Sequence, residues 1–246
     1  MNNIPTMEIL GIPVHPLAMS EAVAYLVDRV EQKLVTNVVT ANAEIIMLGQ
    51  RDPAYKAILQ NAQCVLPDGA GTVWAGRTLG FTVPERVAGF DLFLELIKAA
   101  PAHKFKVYFF GSAPGIAELA KSKCEKMSPG VQIVGCRNGY FKPDDSSQII
   151  ADINASGADI LFVALGAPKQ EYWLRDHSKE LKPYLRIGLG GSFDVLAGKA
   201  VRAPKWMQDA SLEWLFRLYK EPSRLGRMLV LPEFVIKVLT AKYSGK

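Results

Sequence analysis

Leu66-Pro67-Asp68-Gly69-Ala70-Gly71-Thr72 is the stretch on which the fold turns. Apolar Cys64-Val65-Leu66 predicts the end of a buried strand, and Pro67 with the two glycines forces a turn before a helical run from Thr72. One carboxylate, Asp68, therefore stands at a strand-to-helix turn. Two readings are open there. An Asp before Gly caps the helix that follows; in an open α/β sheet, the carboxyl ends of parallel strands face a crevice where reactive groups collect. A little further on, Pro84-Glu85-Arg86-Val87-Ala88-Gly89-Phe90 predicts a second fixed turn that brings a cation near that anion. A plain surface salt bridge is the alternative.

Working outward toward the N-terminus, residues 7–14 predict a small hairpin and residues 20–32 a helix with Ser20 as its cap. A β-branched strand over 34–40 leads into a helix that continues to about residue 61. Thr40 and Asn42 then close a strand at the same edge as Asp68. Taken alone, Thr40 is strand-favouring and Asn42 is a good N-cap.

Toward the C-terminus, a helix over 90–99 and a strand over 106–110 run into Gly111-Ser112-Ala113-Pro114-Gly115. Such a glycine turn lets backbone N–H groups approach a phosphate, and a tight turn with no ligand fits equally. A strand over 131–134 precedes a helix over 144–156, whose Asp144-Asp145 pair suits the positive end of the helix dipole. A strand over 160–164 ends in Leu165-Gly166-Ala167-Pro168-Lys169-Gln170-Glu171, with Pro168 in the first helical turn and Lys169 and Gln170 facing either crevice or solvent. A last strand over 186–190 meets Gly191-Ser192-Phe193-Asp194, a second turn rich in backbone donors. Strands and helices alternate throughout, which predicts an α/β fold: one mostly parallel sheet flanked by helices through right-handed crossovers.

The 246 residues, 49% of them hydrophobic, suffice for a substantial core in one domain. No stretch approaches the roughly 20 apolar residues of a membrane span, and no basic-then-apolar leader opens the chain, so a cytoplasmic protein is expected. Cys64, Cys124 and Cys136 are odd in number and widely spaced, which offers neither a disulfide framework nor a Cys-x-x-Cys site. His15, His103 and His177 lack metal-ligand spacing.

Charge divides the chain. Residues 195–246 carry ten Lys/Arg against four Asp/Glu, whereas the first 194 carry 19 against 20. A basic tail calls for an anionic partner: nucleic acid, an anionic membrane surface or a phosphorylated substrate. The tail predicts a helix over 206–220, with Leu212, Leu215, Phe216 and Tyr219 on one face, then a break at Pro222 and an apolar segment over 225–239. Arg217, Arg224 and Arg227 cluster around that break. The expectation is a catalytic core over 1–194 and a basic amphipathic appendage over 195–246 that packs over the crevice at an anionic bilayer. A homo-oligomer would bury the same surface. Nucleic-acid binding is disfavoured, because the tail's aromatics keep core spacing and no recognition signature appears. A nucleotide-dependent dehydrogenase is disfavoured too, because the glycine fingerprint and its following acidic residue are incomplete.

Thr40-Ala41-Asn42-Ala43-Glu44, Pro67-Asp68-Gly69, the Pro84–Gly89 segment, Ala164-Leu165 through Glu171 and Gly190-Gly191-Ser192-Phe193-Asp194 follow one another in an order that resembles the WecG/TagA/CpsF glycosyltransferases, from about residue 7 to residue 239. Within that family the chain looks most like the branch that builds the wall teichoic acid linkage unit. The resemblance implies a Rossmann-like core and inverting transfer of N-acetylmannosamine from a UDP-sugar donor. The acceptor it implies is the 4-hydroxyl of N-acetylglucosamine on a polyprenyl (undecaprenyl) diphosphate, giving a β-1,4 linkage. It also implies no metal and no cofactor, in keeping with the missing Asp-x-Asp spacing, and an appendage that completes the site at the inner face of the membrane. By the same resemblance Asp68 is the catalytic base, Thr40, Asn42, Arg86 and Gln170 are pocket residues, and Arg217, Arg224 and Arg227 reach the phosphates. The turns at Gly111 and at Gly191-Ser192 are the candidates for backbone donors to the departing UDP. Relatives with the same motifs transfer other sugars, such as N-acetylmannosaminuronic acid or glucose.

Overall fold

Six short strands account for the centre of the molecule, most of them apolar and buried along their length. The computed structural model describes residues 4–209, 212–220, 226 and 229–244. An antiparallel hairpin, β1 (Met7–Ile9) and β2 (Ile12–Val14), turns through Leu10 and Gly11, both at positive φ. The strands β3 (Thr36–Ala41), β4 (Cys64–Pro67), β5 (Lys106–Gly111), β6 (Gln132–Arg137), β7 (Ile160–Ala164) and β8 (Leu185–Gly188) form a sheet in the order β4-β3-β8-β7-β5-β6. Every pairing in it is parallel, so the expected mostly parallel sheet is wholly parallel. Continuous burial along β4, β7 and β8 is what a parallel sheet covered on both faces requires.

The two-residue period of the strands divides the core. Val38, Phe109 and Phe162 point to one face, with α1 (Met19–Glu31), α5 (Gly89–His103), α6 (Ile116–Met127) and α9 (Ser192–Ala197). There Phe93 meets the Phe162 ring edge-on at 4.9 Å, and Phe109 stacks on Phe193 at 4.8 Å. Their neighbours Val39, Phe110 and Leu161 point to the other face, beneath α2 (Ala43–Arg51), α3 (Pro53–Asn61), α4 (Gly69–Thr78), α7 (Ser146–Ala155) and α8 (Lys169–Asp176). Adjacent β3 and β8 thus send their next helices, α2 and α9, to opposite faces. A crevice opens at such a reversal of direction, outside the strands' carboxyl ends.

Several local expectations are corrected. Ala18, not Ser20, caps α1, because the Glu21 carboxylate reaches back to accept the Ala18 N–H at 2.7 Å. The helix expected over 42–61 is two: Pro53 has no N–H to continue α2, and Asp52 caps α3 by accepting from Ala54 and Tyr55. Asp144 and Asp145 belong to a 3-10 turn, Pro143–Asp145, ahead of α7, and Pro168 stands at the cap of α8 rather than inside its first turn. The helix expected over 206–220 is divided into Lys205–Asp209 and Glu213–Lys220, where the Leu212 N–H closes on Met207 O. The last helix, Val230–Tyr243, runs further than the segment expected over 225–239. It folds back on the protein: Val230, Phe234 and Val238 join the core formed by α2, α4 and the hairpin. Pro222 lies outside the described residues.

Candidate functional site

The carboxyl ends of β3 and β4 are level, with Thr40 beside Leu66 and Ala41 beside Pro67. Both turns that follow are tied to these ends by backbone. Asp68 N–H donates to Ala41 O at 3.1 Å, and Val87 N–H donates to Pro67 O at 2.9 Å. The segment carrying Arg86 is thereby laid against the end of β4. Thr72 adds its hydroxyl, which donates to Ala41 O at 2.9 Å.

Asp68 is the N-cap residue of α4, yet its side chain makes no capping bond to that helix. Its Oδ2 instead accepts the Gly89 N–H at 3.4 Å, so the carboxylate turns toward the N-terminus of α5 and stays half-buried. Glycine is required at 89: a Cβ there would lie 2.8 Å from Thr40 Oγ1. Gly69, at φ +83°, brings the turn against Asn42, whose Oδ1 caps α2 by accepting from Ile45 N–H at 2.9 Å. Thr40, Asn42 and Asp68 thus gather at one end of two adjacent strands.

Arg86 enters from the loop and pairs with Glu213, the first residue of its helix in the appendage. Arg202 donates to the other oxygen of that carboxylate at 3.2 Å and binds Asp91 with two parallel bonds of 2.5 and 2.7 Å. Burial pushes the Glu213 carboxyl up, but the two guanidiniums outweigh it, and its pKa lies below the ordinary glutamate value. The anion nearest the Arg86 guanidinium therefore comes from the appendage, with Asp68 on the adjoining backbone segment.

The other strand ends shape an open cavity of ≈ 790 Å³, lined among others by Ser112, Tyr140, Phe141, Lys169 and Asp194. Ser112 Oγ donates to Asp194 Oδ2 at 2.9 Å, joining the β5 turn to α9, and the Lys169 ammonium sits 4.6 Å over the Phe141 ring. Gly111 serves packing here, since a Cβ would meet Ala164 O at 2.3 Å. Gln170 is buried, with its amide held from both ends: Oε1 accepts the Gly190 N–H at 2.9 Å, and Nε2 donates to Glu171 Oε1 at 2.7 Å. Burial raises the Glu171 pKa. Gly191 caps α9 and is exposed, while the buried Ser192 hydroxyl donates to Leu189 O at 2.7 Å, bracing the turn.

All the described candidates thus lie along the carboxyl edge of one sheet, in two groups. Thr40, Asn42, Asp68 and Arg86 flank β3 and β4; Gly111, Gln170, Gly191 and Ser192 flank β5, β7 and β8. Arg217 is described only as a backbone position in the helix Glu213–Lys220, and Arg224 and Arg227 lie outside the described residues. Among the described residues, no group of three or more His, Cys, Asp or Glu side chains is arranged to hold a metal ion, and no helix is long and apolar enough to cross a membrane. Sequence reasoning gave no role to Arg202, Asp91, Glu213 or Tyr140, and it named Ser112 and Asp194 only as members of glycine turns, not as side chains lining a cavity. Asp194 had a signal, the glycine turn beside it; Arg202 had none, because its partner Asp91 is 111 residues away.

A half-buried carboxylate, guanidiniums and backbone donors around a crevice suit chemistry in which a hydroxyl loses a proton while an anion departs. Comparison with known proteins supplies the family. The Glycosyl transferase WecG/TagA/CpsF family matches residues 7–246. The N-acetylglucosaminyldiphosphoundecaprenol N-acetyl-beta-D-mannosaminyltransferase of Bacillus spizizenii (strain ATCC 23059 / NRRL B-14472 / W23) is 38% identical over 202 residues, 82% of this chain and 78% of that protein. The enzyme of the same name from Bacillus subtilis (strain 168) is 33% identical over 242 residues, 98% of this chain and 94% of its own length. The chain is a glycosyltransferase and belongs to the WecG/TagA/CpsF family.

Proposed function

We propose that the protein transfers N-acetylmannosamine from UDP-N-acetylmannosamine to the 4-hydroxyl of undecaprenyl-diphosphate-linked N-acetylglucosamine, with inversion, as a step of wall teichoic acid linkage-unit synthesis. The names of the two relatives support the sugar and the acceptor. The observation that carries the mechanism is the Asp68 carboxylate at the end of β4, which makes no cap bond to its own helix and accepts instead from Gly89 at the N-terminus of α5. Asp68 takes the proton of the acceptor hydroxyl as that oxygen attacks the anomeric carbon, and the bond to UDP breaks on the opposite side. Arg86, the appendage arginines 217, 224 and 227, and backbone N–H groups at the strand ends meet the charge that develops on the diphosphate.

The cavity of ≈ 790 Å³ suits the nucleotide, with Tyr140 and Phe141 as aromatic surfaces, Lys169 as a cation and Asp194 as an acceptor for a base N–H. A groove of ≈ 590 Å³, lined among others by Ala70, Trp74 and Arg86, starts beside the Asp68 turn and suits the acceptor head. The lipid tail of that acceptor requires a membrane. The outward face of the C-terminal helix, with Ile236, Leu239 and Tyr243 exposed, is the surface we assign to it.

The test is incubation of purified protein with UDP-N-acetylmannosamine, a lipid-diphosphate N-acetylglucosamine acceptor and EDTA, following UDP release and product mass. Disaccharide product is expected. Product only from UDP-N-acetylmannosaminuronic acid or UDP-glucose would replace the donor and leave the mechanism standing.

A further inference from the structure

Of the charge cluster Arg86, Glu213, Arg202 and Asp91, only Arg86 has a task in the chemistry just described, yet the other three join it in one chain of ion pairs at the crevice. The cluster's members come from four segments: the loop before α5, the first turn of α5, the stretch after α9 and the start of an appendage helix. Glu213 is well enclosed, with 13% of its side chain exposed, so its charge depends on the two arginines around it. Arg202 is held on three sides, by Glu213, by the two Asp91 bonds and by the Phe90 ring 5.2 Å beneath its guanidinium. Asp91 belongs to the same first turn as Gly89, whose N–H donates to Asp68.

We infer that Glu213 is a positioning residue. Its carboxylate latches the appendage to the first turn of α5 and holds the Arg86 guanidinium at the crevice beside the Asp68 turn. The inference rests on the reading of Asp68 and Arg86 given above. Arg86 stands in a segment that is itself neither helix nor strand, and a long side chain left mobile must be ordered each time substrate binds. Glu213 orders it beforehand. The same contact fixes Glu213 at the crevice, and the backbone of Arg217 follows one helix turn later. The opposite role is a plug, in which Glu213 occupies Arg86 and must leave before an anionic substrate binds. The two roles differ in the sign of one measurement.

The experiment uses the full-length protein carrying Glu213→Gln, Arg202→Gln or both, assayed with UDP-N-acetylmannosamine and the lipid-diphosphate acceptor. A latch predicts that each single change lowers kcat/KM by roughly 10–100-fold, mainly through KM, the scale of losing one partner of an enclosed charge pair. It also predicts that the double variant is little worse than the worse single one, because both break the same contact. Glu213→Asp, which keeps the charge, should recover part of the loss. Limited trypsin digestion, which needs no substrate, should cut the appendage faster in Glu213→Gln than in the parent while the thermal midpoint of the core holds. A kcat/KM that is unchanged or raised in Glu213→Gln, losses that multiply in the double variant, or parental digestion rates would overturn the latch. If the parent protein transfers no sugar from any donor, the functional reading fails while the digestion still tests the docking.

Discussion

At the scale of single residues, Asp68 was legible because proline before it and glycine after it leave a carboxylate at a strand end. Which way that carboxylate faces was not legible. A cap for α4 and an acceptor for Gly89 N–H are the same residue in different rotamers, and the choice depends on a segment that returns 21 residues later. Asp68→Ala should bind UDP-N-acetylmannosamine nearly normally, by calorimetric titration, yet lose about 10²–10⁴-fold in turnover, the usual share of a general base. Near-normal turnover would remove that assignment. Gly89 is the second residue on which the site depends. In Gly89→Ala the new methyl meets Thr40, a branched side chain with little freedom to move. We expect a loss of about 1–3 kcal/mol in a denaturant melt, typical of overpacking, together with reduced turnover as the Asp68 contact shifts. A variant as stable and active as the parent would show that the α5 terminus has slack there.

At the scale of elements, the strands were found to within a few residues, since each is a short apolar run bounded by turn residues. Helix breaks were harder. Pro53 divides one expected helix, and Asp52 closes one half and caps the other. The apolar face expected on Leu212, Leu215, Phe216 and Tyr219 is not buried, since Leu215 and Tyr219 are exposed. The tail's buried face is that of the last helix, through Val230, Phe234 and Val238, and periodicity cannot say what a face meets. The structure lays Phe234 over Gly71 and Ala43, closing the outer side of α4. How the shorter helix Glu213–Lys220 docks is a matter of charge, and its pH dependence follows. Glu213 has a folded-state pKa below its ordinary value of 4.5. Its contribution is therefore complete above that value and is lost as pH falls through the lowered pKa. The emission of Trp214, next in the helix, should be steady above about pH 5 and change at lower pH before the core unfolds, and the Glu213→Gln variant should lack that separate step. A single transition shared by both proteins would mean that docking does not depend on this carboxylate.

At the scale of the whole molecule, one sheet edge collects the candidate site residues, and an appendage glutamate, Glu213, pairs with one of them, Arg86. The C-terminal helix buries Phe234 and Val238 and leaves Ile236 and Tyr243 at 64% and 81% exposure. Membrane attachment through that face predicts flotation with vesicles rich in anionic lipid. Binding should weaken as salt is raised toward 0.5 M, because screening removes the cationic share of the attraction. Ile236→Glu with Leu239→Glu should abolish flotation and leave the fold intact, since both side chains point outward. Undiminished flotation of that variant, or a parent dimer that it dissolves, would move the face from the bilayer to self-association.

The sequence by itself determined the α/β class, the parallel sheet and the turn residues at the strand ends, because strand burial, helical spacing and turn chemistry are local properties. It also determined the family, since motifs in order along a chain are themselves a sequence property. Only the tertiary structure decided that Asp68 answers to Gly89, that Gln170 is buried between Glu171 and Gly190, and that Arg86 is held by Glu213. These are choices of partner among charged and polar groups up to 127 residues apart. No local pattern ranks such partners, because the ranking is made by desolvation and distance once the sheet has brought the strand ends together.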